Sequence, residues 1–153
     1  MLAARLIRLI ETNADELTRG LVQQLKANPR TPAFRRFSDL EIHNRVYNVY
    51  KNLGAWIAGT SESEVRRHYE ELGGRRFAEG VPLPQVIYAQ ILSKNHLLNY
   101  VQTHGLGGTA LEMYSEQELR RQVEQFFDSA IYYTALGYHN AQEAGKAGGA
   151  LSS

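Results

Sequence analysis

The stretch Pro82–His104, PLPQVIYAQILSKNHLLNYVQTH, constrains this chain more than any other. Wound at about 100° per residue, its apolar side chains cover well over half of a helical circumference. Leu83, Ile87, Ile91, Leu98 and Val101 mark the centre of one face, with Tyr88 and Leu92 on one flank and Val86 and Leu97 on the other. A helix that is apolar over so wide an arc is enclosed by neighbours. Lys94, Asn95, Asn99 and two histidines make it too polar to span a bilayer. It reads as the central helix of an all-α domain.

The rest of the chain divides into helices around it. A first helix, about Leu2 to Lys26, repeats Leu6, Ile10, Leu17 and Leu21 at helical spacing, with a soft spot at Thr12 and Asn13. The prolines at 29 and 32 end it, because each disfavours helix in the residue before it. Ser38 with Glu41, Ser61 with Glu64 and Ser115 with Glu118 match the capping box, in which a serine oxygen accepts the N3 amide. They predict starts for a second helix over Asp39–Ala58, a third over Glu62–Glu79 and a fifth from Glu116 to about Gln142. Pro82 and Pro84 fit the first turn of the fourth, where a missing amide hydrogen costs little. The segment Gly105–Met113 carries GLGG and needs an irregular turn. The expected architecture is a five-helix bundle over residues 1–143, with 144–153 a flexible tail or linker stub.

Composition narrows the function. The 153 residues suffice for one domain with its own core. A formal charge of +1, from 17 basic and 16 acidic residues, is no footprint for nucleic acid. Cysteine is absent, which removes disulfides, thiolate catalysis and cysteine metal sites. The apolar N-terminal run is interrupted by Glu11, Asp15 and Glu16, so it does not read as an export signal. The expectation is a cytoplasmic protein with no membrane segment.

Five histidines invite a metal or haem reading. His43 lies on the stripe of Val46, Tyr47, Tyr50 and Ile57, and His96 at the edge of the central helix's face. His68 flanks the Val65, Tyr69, Leu72 stripe, while His104 and His139 fall near expected helix ends. No pair has the spacing that sets two ligands on one helical face, so no metal site is expected. A single axial histidine would serve haem, which keeps a haem-binding sensor using His96 or His43 as the alternative. Asn95 and Asn99, one turn apart within the apolar arc, need partners if buried. With Tyr88, His96, His43 and Tyr47 they form the expected ligand pocket. No catalytic constellation is present.

The fifth helix has a stripe of its own, including Phe126, Phe127, Ala130, Tyr133 and Gly137. Its small residues admit a close neighbour, and a glycine inside a helix, which costs about 1 kcal/mol against alanine, implies a packing reason. That neighbour is a helix of this chain or of a second copy, and a homodimer is the expectation.

Two strings carry a family resemblance: YEELGGRRFAEGVPLPQV, from Tyr69 through Val86, and FFDSAIYY, from Phe126 through Tyr133, followed by Gly137 and Tyr138. Together they resemble the N-terminal sensory domains of the RsbR type, in particular the RsbRD-like N-terminal domain, over about residues 5–142. Such domains stand before kinase or STAS output modules in bacterial stress and two-component signalling. The resemblance implies an all-helical bundle or globin-like fold, dimerisation, and signal input without enzymatic activity or haem. This sequence departs from the pattern in showing no output module after Gln142, and so reads as an excised sensor or a stand-alone relative. The functional expectation is a non-enzymatic sensory or regulatory domain. Its central helix would receive a ligand or partner signal and its last helix would pass it to a downstream signalling domain. A ligand-free scaffold is the remaining alternative.

Overall fold

A computed structural model describes residues 2–104 and 108–152, with side chains described for 4–104 and 108–147. It is an all-α helical bundle, and no strand occurs among the described residues. Six α-helices follow in order: α1 (Leu2–Thr12), α2 (Ala14–Ala27), α3 (Asp39–Lys51), α4 (Glu62–Ala78), α5 (Leu83–Thr103) and α6 (Ala110–Ser152). A 3-10 turn, Pro32–Arg36, precedes α3, and a π-helical turn, Ala55–Gly59, follows it.

The first of the five expected helices is therefore two. Asn13 donates from its side chain to the Leu9 carbonyl at 2.8 Å, where its own backbone amide also bonds. A short amide side chain shares that carbonyl with the helical ladder, and Asn13, at φ −102° and ψ 19°, leaves helical geometry there. The expected second helix stops at Lys51 instead of Ala58. Beyond it the Gly54 amide donates to Glu11 Oε2 at 3.3 Å, and a Cβ on Gly54 would lie 3.3 Å from Ile7 Cγ2. The chain widens where α1 presses on it, and Trp56 turns into a cluster with His68, Tyr69 and Phe126.

Two of the three serine caps form, with Ser38 Oγ accepting from the Glu41 amide at 3.1 Å and Ser61 Oγ from the Glu64 amide at 3.3 Å. The third does not cap. Thr109 takes the role, accepting from the Glu112 amide at 3.1 Å, so α6 starts before Ser115 and encloses it. At its other end α6 passes through Gln142 and His139 without stopping. The stretch after Gln142 holds three glycines, which weaken a helix, beside alanine, lysine and glutamate, but no proline to break one. Of the GLGG turn, Gly105–Gly107 lie outside the described residues.

The facing pairs Glu70–Gly137, Gly74–Ala141 and Phe77–Gly145 advance together, so α4 and α6 run parallel. Beside α6, α5 runs back, with Gln90 bonded to Thr134 and Leu98 to Arg120. Gly80, at φ 75°, makes the tight reversal from α4 into α5, a conformation glycine adopts without steric penalty. The Tyr138 hydroxyl then ties α6 to the Val81 carbonyl at 2.7 Å.

The buried arc of α5 is rotated from the one expected. Val86, Ser93, Leu97, Leu98 and Val101 are buried, whereas Ile87 and Ile91, expected at the centre, are half-buried. The neighbours α2 and α6 cover the flank of Val86 and Leu97, and α5 is enclosed on that side.

Candidate functional site

A partly open cavity of about 80 Å³ lies where α3, α4, α5 and α6 meet. Ala89 of α5 and Ala130 of α6 leave the space, and Phe34, Ile42, Val46 and Phe127 supply much of the hydrocarbon wall. The polar groups come from regular helical spacing. His68, Tyr69 and Arg76 line the cavity from α4, and Gln90 and Ser93 share one face of α5.

Glu79 organises one end of the cavity wall. Arg45 Nη1 and Nη2 donate to its two carboxylate oxygens at 3.0 and 2.6 Å, and Arg76 Nη1 donates to Oε1 at 3.0 Å. Arg36 donates to its backbone carbonyl, and the Arg45 guanidinium also lies over the Phe37 ring at 4.5 Å. Partial burial pushes the Glu79 carboxyl upward, but the two guanidinium groups outweigh it and hold the group below its usual range. Burial, and then the Arg45 charge, push the Arg76 guanidinium down against the opposing pull of Glu79. One carboxylate is serving two cations.

The other polar wall is a hydrogen-bond chain with an open end. Gln90 Nε2 donates to Thr134 Oγ1 at 2.8 Å, and that hydroxyl donates to the Ala130 carbonyl at 2.7 Å. Gln90 Oε1 is left buried without a partner. Such an acceptor costs about 1–3 kcal/mol unless something donates to it. Nearby, the buried Tyr50 hydroxyl donates to the Ser93 carbonyl at 2.8 Å, and burial raises its pKa despite the Ser93 contact.

No family model, curated protein or solved structure matches this chain. Its site rests on its own geometry.

None of the six residues of the expected ligand pocket lines this cavity. Asn95 and Asn99 are exposed, because α5 turns that edge outward. Tyr88 is half-buried and accepts from Arg30 Nη1 at 3.2 Å, with the Arg30 guanidinium over its ring. His96 has both ring nitrogens engaged, Nε2 with the Leu17 carbonyl at 2.9 Å and Nδ1 with the Gln24 amide at 2.9 Å. His43 stacks on Tyr47 and meets Asp15 Oδ1 through Nε2 at 2.8 Å, leaving Nδ1 buried and unpartnered. These residues fall in separate places rather than around one ligand. His96 is committed to α2 through both ring nitrogens, and neither His96 nor His43 lines the cavity. Among the described residues, no group of three or more His, Cys, Asp or Glu side chains could hold a metal ion. No described helix is long and apolar enough to cross a membrane.

The expected packing face on α6 is a packing face, and it is filled from within the chain. Phe126, Phe127, Ala130 and Gly137 are buried, and Tyr133 donates to Glu62 Oε1 at 2.8 Å. A Cβ on Gly137 would overlap the Glu70 carbonyl, and one on Gly73 would lie 2.6 Å from the Tyr138 amide nitrogen. The close neighbour is α4, so this face is not available to a second copy.

Gln90, Ser93 and Arg76 were missed as site residues. Their signal is present in the sequence: Gln90 and Ser93 interrupt the row from Val86 to Leu97, a polar pair on a face that is otherwise apolar. Arg76 gives no such signal, since a guanidinium on a helix ordinarily meets water.

Proposed function

We propose that the chain is a non-enzymatic sensory or regulatory domain of bacterial signal transduction, working in the cytoplasm as a homodimer. Occupancy of this cavity is its input, and the C-terminal part of α6 is its output toward a downstream signalling domain or protein. One observation carries this reading: α6 forms part of the cavity wall at Phe127 and Ala130, is locked to α4 at Gly137, and continues to Ser152. Within this single helix of 43 residues, about 65 Å long at 1.5 Å per residue, the cavity wall at Ala130 is thus continuous with the exposed segment Gln142–Ala147. The two strings that resemble RsbR-type sensory domains meet at the same place, through Tyr69, Arg76 and Val86 on one side and Phe127 and Ala130 on the other. A stimulus moves such a helix only if it favours one packing over another.

Xenon, which enters small apolar cavities, supplies a ligand-independent test. Amide chemical shifts are followed under xenon pressure. Perturbation at Phe127–Ala130 that extends to Ala141–Ala147 supports transmission. Shifts confined to the cavity wall overturn it and leave a scaffold. The homodimer is checked by light scattering across a concentration series, and a monomer at all concentrations removes that part.

A further inference from the structure

The α5–α6 pair has an apolar flank that the core does not use. The sequence centres the stripe of α5 on Leu83, Ile87 and Ile91, yet its neighbours bury the adjoining arc of Val86, Ser93 and Leu97. Ile87 and Ile91 are left half-buried, as are Ile131 and Ala135 of α6. None of these four packs against the buried core, whereas the half-buried Ile7 and Ile57 do. Ile87, Ile91 and Lys94 share one face of α5, and Asp128, Ile131 and Ala135 share one face of α6, each set at spacings of three and four. The opposite flank of α5 is held by α2, where His96 meets Leu17, and that of α6 by α4, where Gly137 meets Glu70. Both faces therefore border one outward surface.

The charges on that surface complement a second copy of it. Gln90 bonds to Thr134 and Leu98 to Arg120, and midway between these bonds Lys94 of α5 comes level with Asp128 of α6. Neither forms a salt bridge among the described residues. A twofold axis running along the helices sets α5 of one copy on α6 of the other at the same height. Each Lys94 then faces Asp128 of the second copy, and the isoleucines meet between the two pairs of helices. The 21 residues of α5 span about 30 Å, and two helices side by side are about 20 Å wide. Enclosing that face between two copies removes about 1,200 Å² from water, the lower end of a standard stable interface.

We propose that a second copy of this chain docks on this flank, α5 against α6 about a twofold axis, with Lys94 of each copy paired to Asp128 of the other. This rests on the homodimer of the reading above and names its interface; it does not involve the cavity.

The test uses the full chain and measures mass by sedimentation equilibrium over a concentration series. The parent is a dimer. Ile91→Glu is a monomer, because it would bury two carboxylates in the seam, and its circular dichroism spectrum matches the parent's. Lys94→Glu and Asp128→Lys each turn two attractions into repulsions and raise the dissociation constant roughly ten- to thirtyfold. An equimolar mixture of these two variants restores the parental affinity, because the mixed dimer regains both pairs with their signs exchanged. A pair within one chain cannot be repaired by mixing. If Ile91→Glu does not fold, the mixture decides alone. Parental dimerisation by a folded Ile91→Glu, or a mixture no tighter than its components, overturns this interface and leaves the homodimer standing. A parent that is monomeric at every concentration overturns both, and the xenon experiment still decides the cavity reading separately.

Discussion

Gly137 of α6 lies so close to Glu70 of α4 that a single methyl group placed on it would overlap the Glu70 carbonyl oxygen. Gly73 repeats the relationship from the other side, against Thr134 and Tyr138. The two helices meet backbone to backbone, and this contact fixes the position of Ala130 and Arg76 in the cavity wall.

Gly137→Ala and Gly73→Ala each force α4 and α6 apart, because the obstructing atoms are backbone and cannot swing away. Alanine recovers about 1 kcal/mol of helix propensity, but overpacking of this kind costs about 1–3 kcal/mol or more. The expected net result is a lower thermal midpoint for both. Gly74→Ala is the contrast, since its added methyl would meet only Ala141 Cβ at 4.0 Å. That variant gains up to about 1 kcal/mol. Thermal unfolding followed by circular dichroism separates the three, and a Gly137→Ala protein as stable as Gly74→Ala would refute the close crossing.

Asn95→Leu and Asn99→Leu change side chains that face water. Surface substitutions of this kind stay within about 0.5 kcal/mol. Urea unfolding of either variant should match the parent, and a large gain in stability would instead place these amides inside the bundle.

Stability should fall as pH drops below 6.5, the ordinary histidine value. Burial lowers the pKa of His96 against the Leu17 carbonyl contact, and burial followed by the Arg75 charge lowers that of His68. Below 6.5 the unfolded chain therefore takes up protons that the folded chain does not, so the unfolded state gains. Each histidine contributes a slope of at most about 1.4 kcal/mol per pH unit. Glu79, whose pKa is lowered, acts in a separate window, losing its contribution as pH falls below 4.5. Unfolding free energies between pH 7.5 and 5.5, about one unit to either side of the histidine range, should give a shallower slope for His96→Gln than for the parent.

The caps give a paired measurement. Ser38→Ala and Ser61→Ala each remove an acceptor from an N3 amide and cost about 1 kcal/mol. Ser115→Ala lies inside α6 and costs little or nothing. Equal losses at all three serines would contradict the helix start at Ala110.

Local chemistry made much of the bundle legible from the sequence. Ser38 and Ser61 announce helix starts because a cap involves atoms three residues apart, and Pro82 and Pro84 announce another because their effect is confined to one turn. Asn13 marks a break for the same reason. Ser115 misleads because the same string fits equally well inside a helix when Thr109 caps it first. The candidate site was not legible in this way. Asn95 and Asn99 lie on the broad apolar arc of α5, and which part of that arc is buried depends on where α2 and α6 approach it. Gly137 requires a close neighbour by its composition alone, yet only the packing identifies that neighbour as Glu70 of the same chain. Arg76, Gln90 and Ala130 are brought to one cavity from three helices. The sequence by itself determined the helical segmentation, which depends on bonds within a few residues. The tertiary structure decided burial, the cavity and its unpaired groups, because these depend on contacts between residues far apart in the chain.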